Sequence, residues 1–356
     1  MTVLGIESSC DETAAAVVRN GTEVLSSVIY SQVPLHQPYG GVVPEIASRS
    51  HIEKIRGIVE QAAREAFPGD PDPWSHIDAI AGTYGPGLAA SLLVGWSAAK
   101  GLAMALNKPL LPVNHMHAHL HSVRLGKPEL TDDDIFPQLG LAVSGGHTCY
   151  INVPKANTWT LMGQTIDDAA GEAFDKAAKC LGLGYPGGPK IDKLARTVTE
   201  EEHRAIRFPQ GHVAADHPLA PGLIPELCVS FSGLKTSLLT YVQKHPPKEE
   251  HDIAVICASY QEAIVDALVR RADAALKMNR GKYKSIALGG GVSLNGRLRA
   301  AMQKLAEKRH VRLLTADACY CGDNAAMIAG VASLGGYTHA EAPLALDIDP
   351  SLPIGE

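Results

Sequence analysis

Residues 3–30 read VLGIESSCDETAAAVVRNGTEVLSSVIY. Val3 to Ile6, Ala14 to Arg19 and Glu23 to Tyr30 are short runs rich in β-branched and small apolar residues, the composition of strands. Asn20-Gly21 separates the second and third, and both residues tolerate the positive φ that a two-residue hairpin requires. Glu7 to Thr13, between the first two, is a polar turn. The stretch is therefore a three-strand meander. The period then changes. Ser50 to Ala66 has helical spacing, with Ile52, Ile55, Ile58, Val59 and Ala62 on one face. Ile77 to Gly82 is a strand, Gly85-Pro86-Gly87 a tight turn opening a helix from Leu88 to Leu106, and Pro109 to Val113 a further strand.

The same order recurs. Leu139 to Ser144, Thr148 to Val153 and Thr158 to Gln164 form a second meander whose first turn is Gly145-Gly146-His147. Helices are expected over Glu172 to Leu181 and Ile253 to Lys277. Lys284 to Leu288 is a strand ending in Gly289-Gly290-Gly291. Asn295 to Arg309 reads as a helix, Val311 to Leu314 as a strand and Asn324 to Leu334 as a closing helix. Two meander-plus-α/β halves describe a duplicated, two-lobed α/β fold of the actin-like ATPase and sugar-kinase (ASKHA) type, whose lobes clamp a nucleotide. The spacing places a first lobe at 1–113 plus 325–356 and a second at 114–324. The second carries an insertion around 192–225, rich in His, Pro and charge. The tail after Gly336 is expected to be a surface extension.

Composition bounds the function. The 356 residues exceed one typical domain, and 46% hydrophobic with 20% charged residues is ordinary for a globular chain. A net charge of −6 argues against a stand-alone nucleic-acid binder. The seven cysteines include no CxxC pair, which fits a reducing, cytoplasmic setting. The N-terminus runs straight into a strand with no signal-peptide pattern. Leu88 to Leu106 contains Gly95, Lys100 and Gly101 and reads as a buried helix rather than a membrane span.

Four histidines fall within seven residues, in His115-Met116-His117-Ala118-His119-Leu120-His121. On a helix, His115 and His119 share a face one turn apart, a spacing that suits two ligands of one divalent metal; a His-rich loop or cap is the other reading. His117 points away from that pair. No glutamate lies between the two histidines, unlike the HExxH of metallopeptidases. Asp323, in Cys321-Gly322-Asp323-Asn324, is a candidate third ligand or else an N-cap. Ser144-Gly145-Gly146-His147-Thr148 and Gly289-Gly290-Gly291-Val292 are glycine turns after strands, where backbone N–H groups can approach phosphate. There is no GxxxxGK[ST] and no GxGxxG. The carboxylates and hydroxyls of Glu7 to Thr13 face a ligand or form a solvated hairpin tip. Asp175 and Asp192 can hydrogen-bond ligand hydroxyls or stand as exposed acids around the rigid Tyr185-Pro186-Gly187-Gly188-Pro189 loop. Ser230-Phe231-Ser232-Gly233-Leu234-Lys235-Thr236 is a phosphate contact or a plain helix start.

With these residues in view, the chain resembles the bacterial tRNA adenosine threonylcarbamoyltransferase (TsaD) family, once described as O-sialoglycoprotein endopeptidases. The likeness runs from Gly5-Ile6-Glu7-Ser8-Ser9-Cys10-Asp11-Glu12-Thr13, through Gly41-Val42-Val43-Pro44-Glu45, Gly85-Pro86-Gly87-Leu88, Val143 to Thr148, Phe231 to Thr236 and Gly289 to Val292, to Asp323 to Ala329. It implies transfer of a threonylcarbamoyl group from threonylcarbamoyl-AMP to the exocyclic amine of adenosine 37, in tRNAs that read codons starting with adenine. By the same resemblance, His115, His119 and Asp323 match metal ligands, for iron or alternatively zinc. Ala142, Val143, Ser144, Gly145, Gly146, Asp175, Gly188, Asp192 and Asn295 match adenylate-holding positions, where ATP or ADP also binds. Asp11 matches an acidic residue important for activity. The implied partners are tRNA, a TsaB-like homologous protein that packs on the first lobe and a TsaE-like ATPase, with no membrane. Two departures stand out: His117 occupies a position that is acidic in many bacterial relatives, and Ala142 lies near where archaeal relatives carry a ligating tyrosine. The competing readings are an ATP-dependent small-molecule kinase of the same fold, a metallopeptidase, and a catalytically silent binding partner.

Overall fold

The computed structural model describes residues 1–214, 217–279, 281–334 and 342–355. These divide into two compact units, one of 1–133, 157–159 and 315–356, the other of 134–156 and 160–314.

The first unit begins with the meander β1 (Thr2–Glu7), β2 (Glu12–Arg19) and β3 (Glu23–Ser31). A four-residue helix α1 (Val33–His36) leads to α2 (Pro44–Ala66), then β4 (Ala79–Gly85), α3 (Ala89–Leu106), β5 (Leu110–Asn114) and α4 (His115–His121). The sheet order is β3-β2-β1-β4-β5. β1 pairs antiparallel with β2 and parallel with β4, and β4 runs parallel to β5. Alternate residues of β1 face opposite sides, and both sides are covered. Val3, Ala14, Ala16 and Ala81 form one core; Leu4, Ile6, Ala15 and Ile80 form the other, with α2 and α3 residues such as Ile58 and Trp96. Covering both faces explains why β1 and β2 read as continuous apolar runs.

The second unit starts in the short helix α5 (Asp132–Ile135) and repeats the plan: β6 (Gln138–Val143), β7 (Thr148–Val153), β8 (Thr160–Gln164), α6 (Ala170–Cys180), α7 (Gly187–Ala195), α8 (Ser232–Lys244), α9 (Glu250–Met278), β9 (Ser285–Gly289), α10 (Gly296–Arg309) and β10 (Arg312–Thr315). Its sheet order, β10-β9-β6-β7-β8, is the first sheet's order over again, with an antiparallel meander and β9 parallel to β6. Leu139, Leu141, Phe174, Ile264, Leu268 and Leu288 are among its core. The final helix α11 (Ala325–Ser333) returns to the first sheet. There Gly5 is obligatory: a Cβ on it would stand 2.6 Å from the Ala325 carbonyl and 2.7 Å from the Ala329 nitrogen.

Several expectations change. The compact first unit takes in α4 and Asp323, which the sequence reading put in a second lobe spanning 114–324; α4 packs against α11, and α11 lies on the first sheet. Ile52 is 64% exposed instead of sharing the buried face of α2. α3 is only partly buried and presents Leu93 and Met104 to solvent. The Tyr185–Pro189 segment is the start of helix α7, with Pro186 at its N-cap, rather than a rigid loop. Gly336 and its neighbours through 341 lie outside the described residues. Beyond them, residues 342–355 form a strap and not a free extension: Trp96 Nε1 donates to the Leu346 carbonyl at 2.9 Å, Asn114 Nδ2 to the Pro353 carbonyl at 2.9 Å, and Asp349 N to the Tyr84 carbonyl at 2.8 Å.

Candidate metal centre and ligand-binding turns

β1, β4 and β5 are parallel neighbours, so their carboxyl ends lie together, the usual place for ligands in such sheets. Glu7 ends β1, and α4 begins directly after β5, its first turn capped by Asn114 Oδ1 accepting from Met116 N at 2.9 Å. That cap starts the helix at His115 and puts His115 and His119 on one face, with ring centroids 4.5 Å apart. Asp323 meets them. Its Oδ1 lies 3.1 Å from His119 Nε2 and 3.6 Å from His115 Nε2, and one ligand atom from each of the three residues falls within 4.8 Å of the others.

Three details suit a metal. Asp323 is not the N-cap of α11, because Asn324 takes that role, accepting from Met327 N at 3.0 Å. His119 is fully buried with no hydrogen-bond partner on Nδ1, and its Nε2 faces only the Asp323 oxygen at 3.1 Å. Buried polar atoms normally have partners, so the donors converge on something they are built to share. Third, His115 Nδ1 faces Glu7 Oε2 at 3.0 Å, which orients the ring so that Nε2 points at Asp323. Glu7 is itself fully buried and accepts from Thr83 Oγ1 at 2.6 Å and from Ser9 N.

The electrostatics follow. Burial opposes charge on His115, but Glu7 and Asp323 outweigh it and raise the ring to about 9. Burial and the neighbouring His115 lower His119. Burial also works against the Glu7 carboxylate, yet His115 holds it below the ordinary value. The other two histidines face elsewhere. His117 bonds the Ile354 carbonyl at 2.6 Å and stacks on Trp159 at 4.3 Å, and burial pushes it down to about 4. His121 bonds the Gly21 carbonyl at 2.7 Å and is likewise buried and pushed to about 4.

Glu7 to Thr13 is not a solvated hairpin tip: Glu7, Ser8, Ser9 and Asp11 are all buried. Sequence reasoning passed over Glu7 as an individual, although a carboxylate closing the apolar run Val3-Leu4-Gly5-Ile6 was the available signal.

In the second unit, β6 and β9 are parallel neighbours, with Ala142 opposite Gly289, so the two glycine turns leave the sheet side by side. Gly145 and Gly146 are exposed with open space around them, while Ala142 and Val143 are buried in the strand. Gly290 has φ +88°, and a Cβ there would come within 2.3 Å of the Val143 carbonyl. The turn is closed by Ser144 N donating to the His147 carbonyl at 2.8 Å and His147 N donating to Ser144 Oγ at 3.1 Å. Asp175 Oδ1 accepts from Gly187 N at 2.6 Å, which fixes the start of α7 and sets Gly188 beside Phe174. Asp192 pairs with Arg196 through one oxygen, while its buried Oδ1 has no partner. Asn295 caps α10, its Oδ1 accepting from Leu298 N at 2.9 Å and its Nδ2 donating to Gln261 Oε1 at 2.6 Å. Ser230 to Thr236 is a helix start, the plainer of its two readings.

The family model for tRNA N6-adenosine threonylcarbamoyltransferase matches residues 23–330. Among curated proteins of that description, one from Clostridium perfringens is 45% identical over 355 residues, covering 99% of this chain and 98% of the relative. One from Anaeromyxobacter is 47% identical over 353 residues, covering 99% of each. Among solved structures, HypF from T. kodakarensis aligns with TM-score 0.59 at 16% identity, over 97% of this chain and 50% of that one. Component A of the (R)-2-hydroxyglutaryl-CoA dehydratase of Acidaminococcus fermentans aligns with TM-score 0.52 at 14% identity, over 96% of this chain and all of that one. At such identities these structures speak to fold alone, and the fold is the duplicated α/β arrangement of the actin and sugar-kinase type.

Proposed function

Because the chain belongs to the tRNA N6-adenosine threonylcarbamoyltransferase family, we propose that it draws the threonylcarbamoyl group from threonylcarbamoyl-AMP and delivers it to adenosine 37 of tRNAs reading codons that start with adenine. The general activity, transfer of that group to the N6 amine of a tRNA adenosine, is the family's own. The finer reading is supported above all by the converging donors His115, His119 and Asp323, with Asp323 released from capping duty by Asn324.

Two imidazoles and a carboxylate fit a divalent ion of the Fe2+ or Zn2+ kind. Such an ion supplies Lewis acidity toward a carbonyl and an anchor for a carboxylate. Glu7 accepts from His115 Nδ1, which would leave Nε2 as the nitrogen that gives up its proton to such an ion. The glycine turns at 144–146 and 289–291 offer backbone N–H groups to the adenylate phosphate, where charge grows as AMP departs. The unpaired Oδ1 of Asp192 suits a ribose hydroxyl, with Asp175 and Gly188 beside it on α6 and α7. Asn295, committed to its cap and to Gln261, has its second amide hydrogen left to meet the ligand. In the transfer, the N6–carbamoyl bond forms, the carbamoyl–phosphate bond breaks, AMP leaves with the electron pair, and Asp11 takes the amine proton.

We assign partners on the same footing. The exposed apolar residues Ile52, Leu93 and Met104 on α2 and α3 suit a TsaB-like homologue packing on the first unit, and a TsaE-like ATPase completes the system in the cytoplasm. The test is transfer of radiolabelled threonine from synthetic threonylcarbamoyl-AMP to unmodified tRNA, with the cognate partners present. Wild type is expected to label the tRNA and the His115→Ala/His119→Ala variant is not. Absence of label with intact adenylate and active partners removes the proposed donor, and label retained by the variant removes the metal site.

A further inference from the structure

Behind Asp11 lies a chain of buried polar side chains that the transfer reaction does not account for. Thr13, Gln32, His36 and His51 are each fully buried. Val43 N lies 3.2 Å from His36 Nδ1, and His36 Nε2 lies 3.3 Å from Gln32 Oε1. Gln32 Nε2 is 3.2 Å from His51 Nδ1, and His51 Nε2 is 3.0 Å from the Cys10 carbonyl.

Both ends are backbone groups whose character is fixed: the Val43 amide can only donate and the Cys10 carbonyl can only accept. Between them one assignment satisfies every contact. Val43 N–H donates to His36 Nδ1, so His36 carries its proton on Nε2 and donates to Gln32 Oε1. Gln32 Nε2 then donates to His51 Nδ1, so His51 also carries its proton on Nε2 and donates to Cys10. Gln32 Nε2 also lies 3.4 Å from the Ala47 carbonyl, which agrees with that amide orientation, and Thr13 Oγ1, 2.8 Å from His51 Nδ1, shares that single ring lone pair with Gln32. Burial holds His51 below its ordinary pKa, against the pull of the Cys10 carbonyl and the Glu7 and Asp11 carboxylates, in keeping with a neutral ring. Gln32 also acts through its backbone, its N–H donating to the Asp11 carbonyl at 3.0 Å. The carbonyls of Cys10 and Asp11 are thus both tied to this chain.

We infer that Gln32, His36 and His51 are positioning residues, a one-directional hydrogen-bond chain from Val43 that locks the Cys10–Asp11 turn and so aims the Asp11 carboxylate. The role in transfer rests on Asp11 acting in the reaction; the chain itself does not. Two measurements separate these. Histidine nitrogen NMR at neutral pH, with His36 and His51 identified by substitution, is expected to find both neutral with the proton on Nε2. A proton on Nδ1 of either ring, or a charged ring, overturns the chain. For the role, the amide nitrogen of His51→Gln can take the place of Nε2 and still reach Cys10, whereas His51→Asn is too short. In the reconstituted transfer assay, His51→Gln is expected to keep kcat within about threefold of wild type. His51→Asn is expected to lose about tenfold or more in kcat, with KM for the adenylate unchanged, as a lost buried hydrogen bond implies. Equal kcat for the two variants overturns the positioning role. Full activity of Asp11→Asn instead removes the assignment of Asp11 while leaving the NMR result standing.

Discussion

Asp323 and Asn324 divide between them two tasks that either could perform. Asn324 caps α11 through Met327 N, and Asp323 meets His115 and His119. The two substitutions should therefore behave oppositely. Asp323→Asn is expected to purify with little bound metal while the metal-free protein melts as wild type does. Asn324→Ala is expected to keep its metal stoichiometry and lose about 1 kcal/mol, the usual worth of an N-cap side chain. Metal analysis beside thermal melts decides the matter, and metal loss in the alanine variant alone would reverse the assignment. The pair also marks how far the sequence was legible at this scale. The i, i+4 histidines announce themselves because their spacing is local, and Asp323 stands out as a carboxylate at a helix entrance. Which of two adjacent residues caps depends on backbone direction at Asn324, and that is not written in residue type. Glu7 escaped for a related reason: its partner His115 is 108 positions away, so no window of sequence shows the pair.

At the scale of elements, α8 shows what long range does to a readable start. Ser230 to Thr236 signals a helix beginning, but its cap comes from neither Phe231 nor its neighbours. Asp167, beyond the end of β8, accepts from Phe231 N at 2.7 Å and from Ser232 N and Oγ at 3.2 and 2.8 Å, and pairs with Ser230 Oγ. Burial works to raise the Asp167 carboxyl, and these bonds outweigh it and lower the pKa. A depressed folded pKa stabilises the fold above the unfolded value, and that contribution fades as pH falls through the folded one. Asp167→Asn should therefore cost about 1 kcal/mol at neutral pH, the low end for charged hydrogen bonds because the residue is exposed to solvent. The deficit should shrink below about pH 4, where the carboxyl of the unfolded chain begins to protonate, and vanish once the pH has fallen through the lower folded value. Urea midpoints at pH 7 and pH 3 check this; a deficit independent of pH would mean that the charge plays no part. β1 and β2, by contrast, were legible to within two residues, because strands covered on both faces write themselves as continuous apolar runs. α7 was not, since Gly187-Gly188-Pro189 are poor helix formers, and only contact with Asp175 and Phe174 makes a helix start there.

For the whole molecule, assembly turns on α3. By length and composition this helix could cross a membrane, yet one side of it carries Trp96 and Ala99 into the core of the first unit. Its other side is apolar in the open: Leu93 is 52% and Met104 66% exposed, and a Cβ on Gly101 would meet open space. Lys100 lies against the Trp96 ring at 5.5 Å, leaving the face with little charge. α2 adds Ile52, and further along the same helix Arg56, Glu60 and Arg64 form exposed ion pairs. An apolar strip bordered by charge is the make-up of a protein interface, and a lipid-facing helix would not border such a row of ions. The homologous partner proposed above would seat on this strip. Such a partner also answers the net charge of −6, which leaves the isolated chain ill-suited to hold tRNA. Leu93→Asp combined with Met104→Asp should leave the melting temperature of the isolated chain within a few degrees, as surface changes do, and abolish co-elution with the homologous partner. Tight, salt-dependent tRNA binding should require the wild-type pair of proteins and be lost with the double variant. Should the variant still co-elute and bind tRNA, the partner sits on another face, and the exposed strip of α3 needs a different explanation.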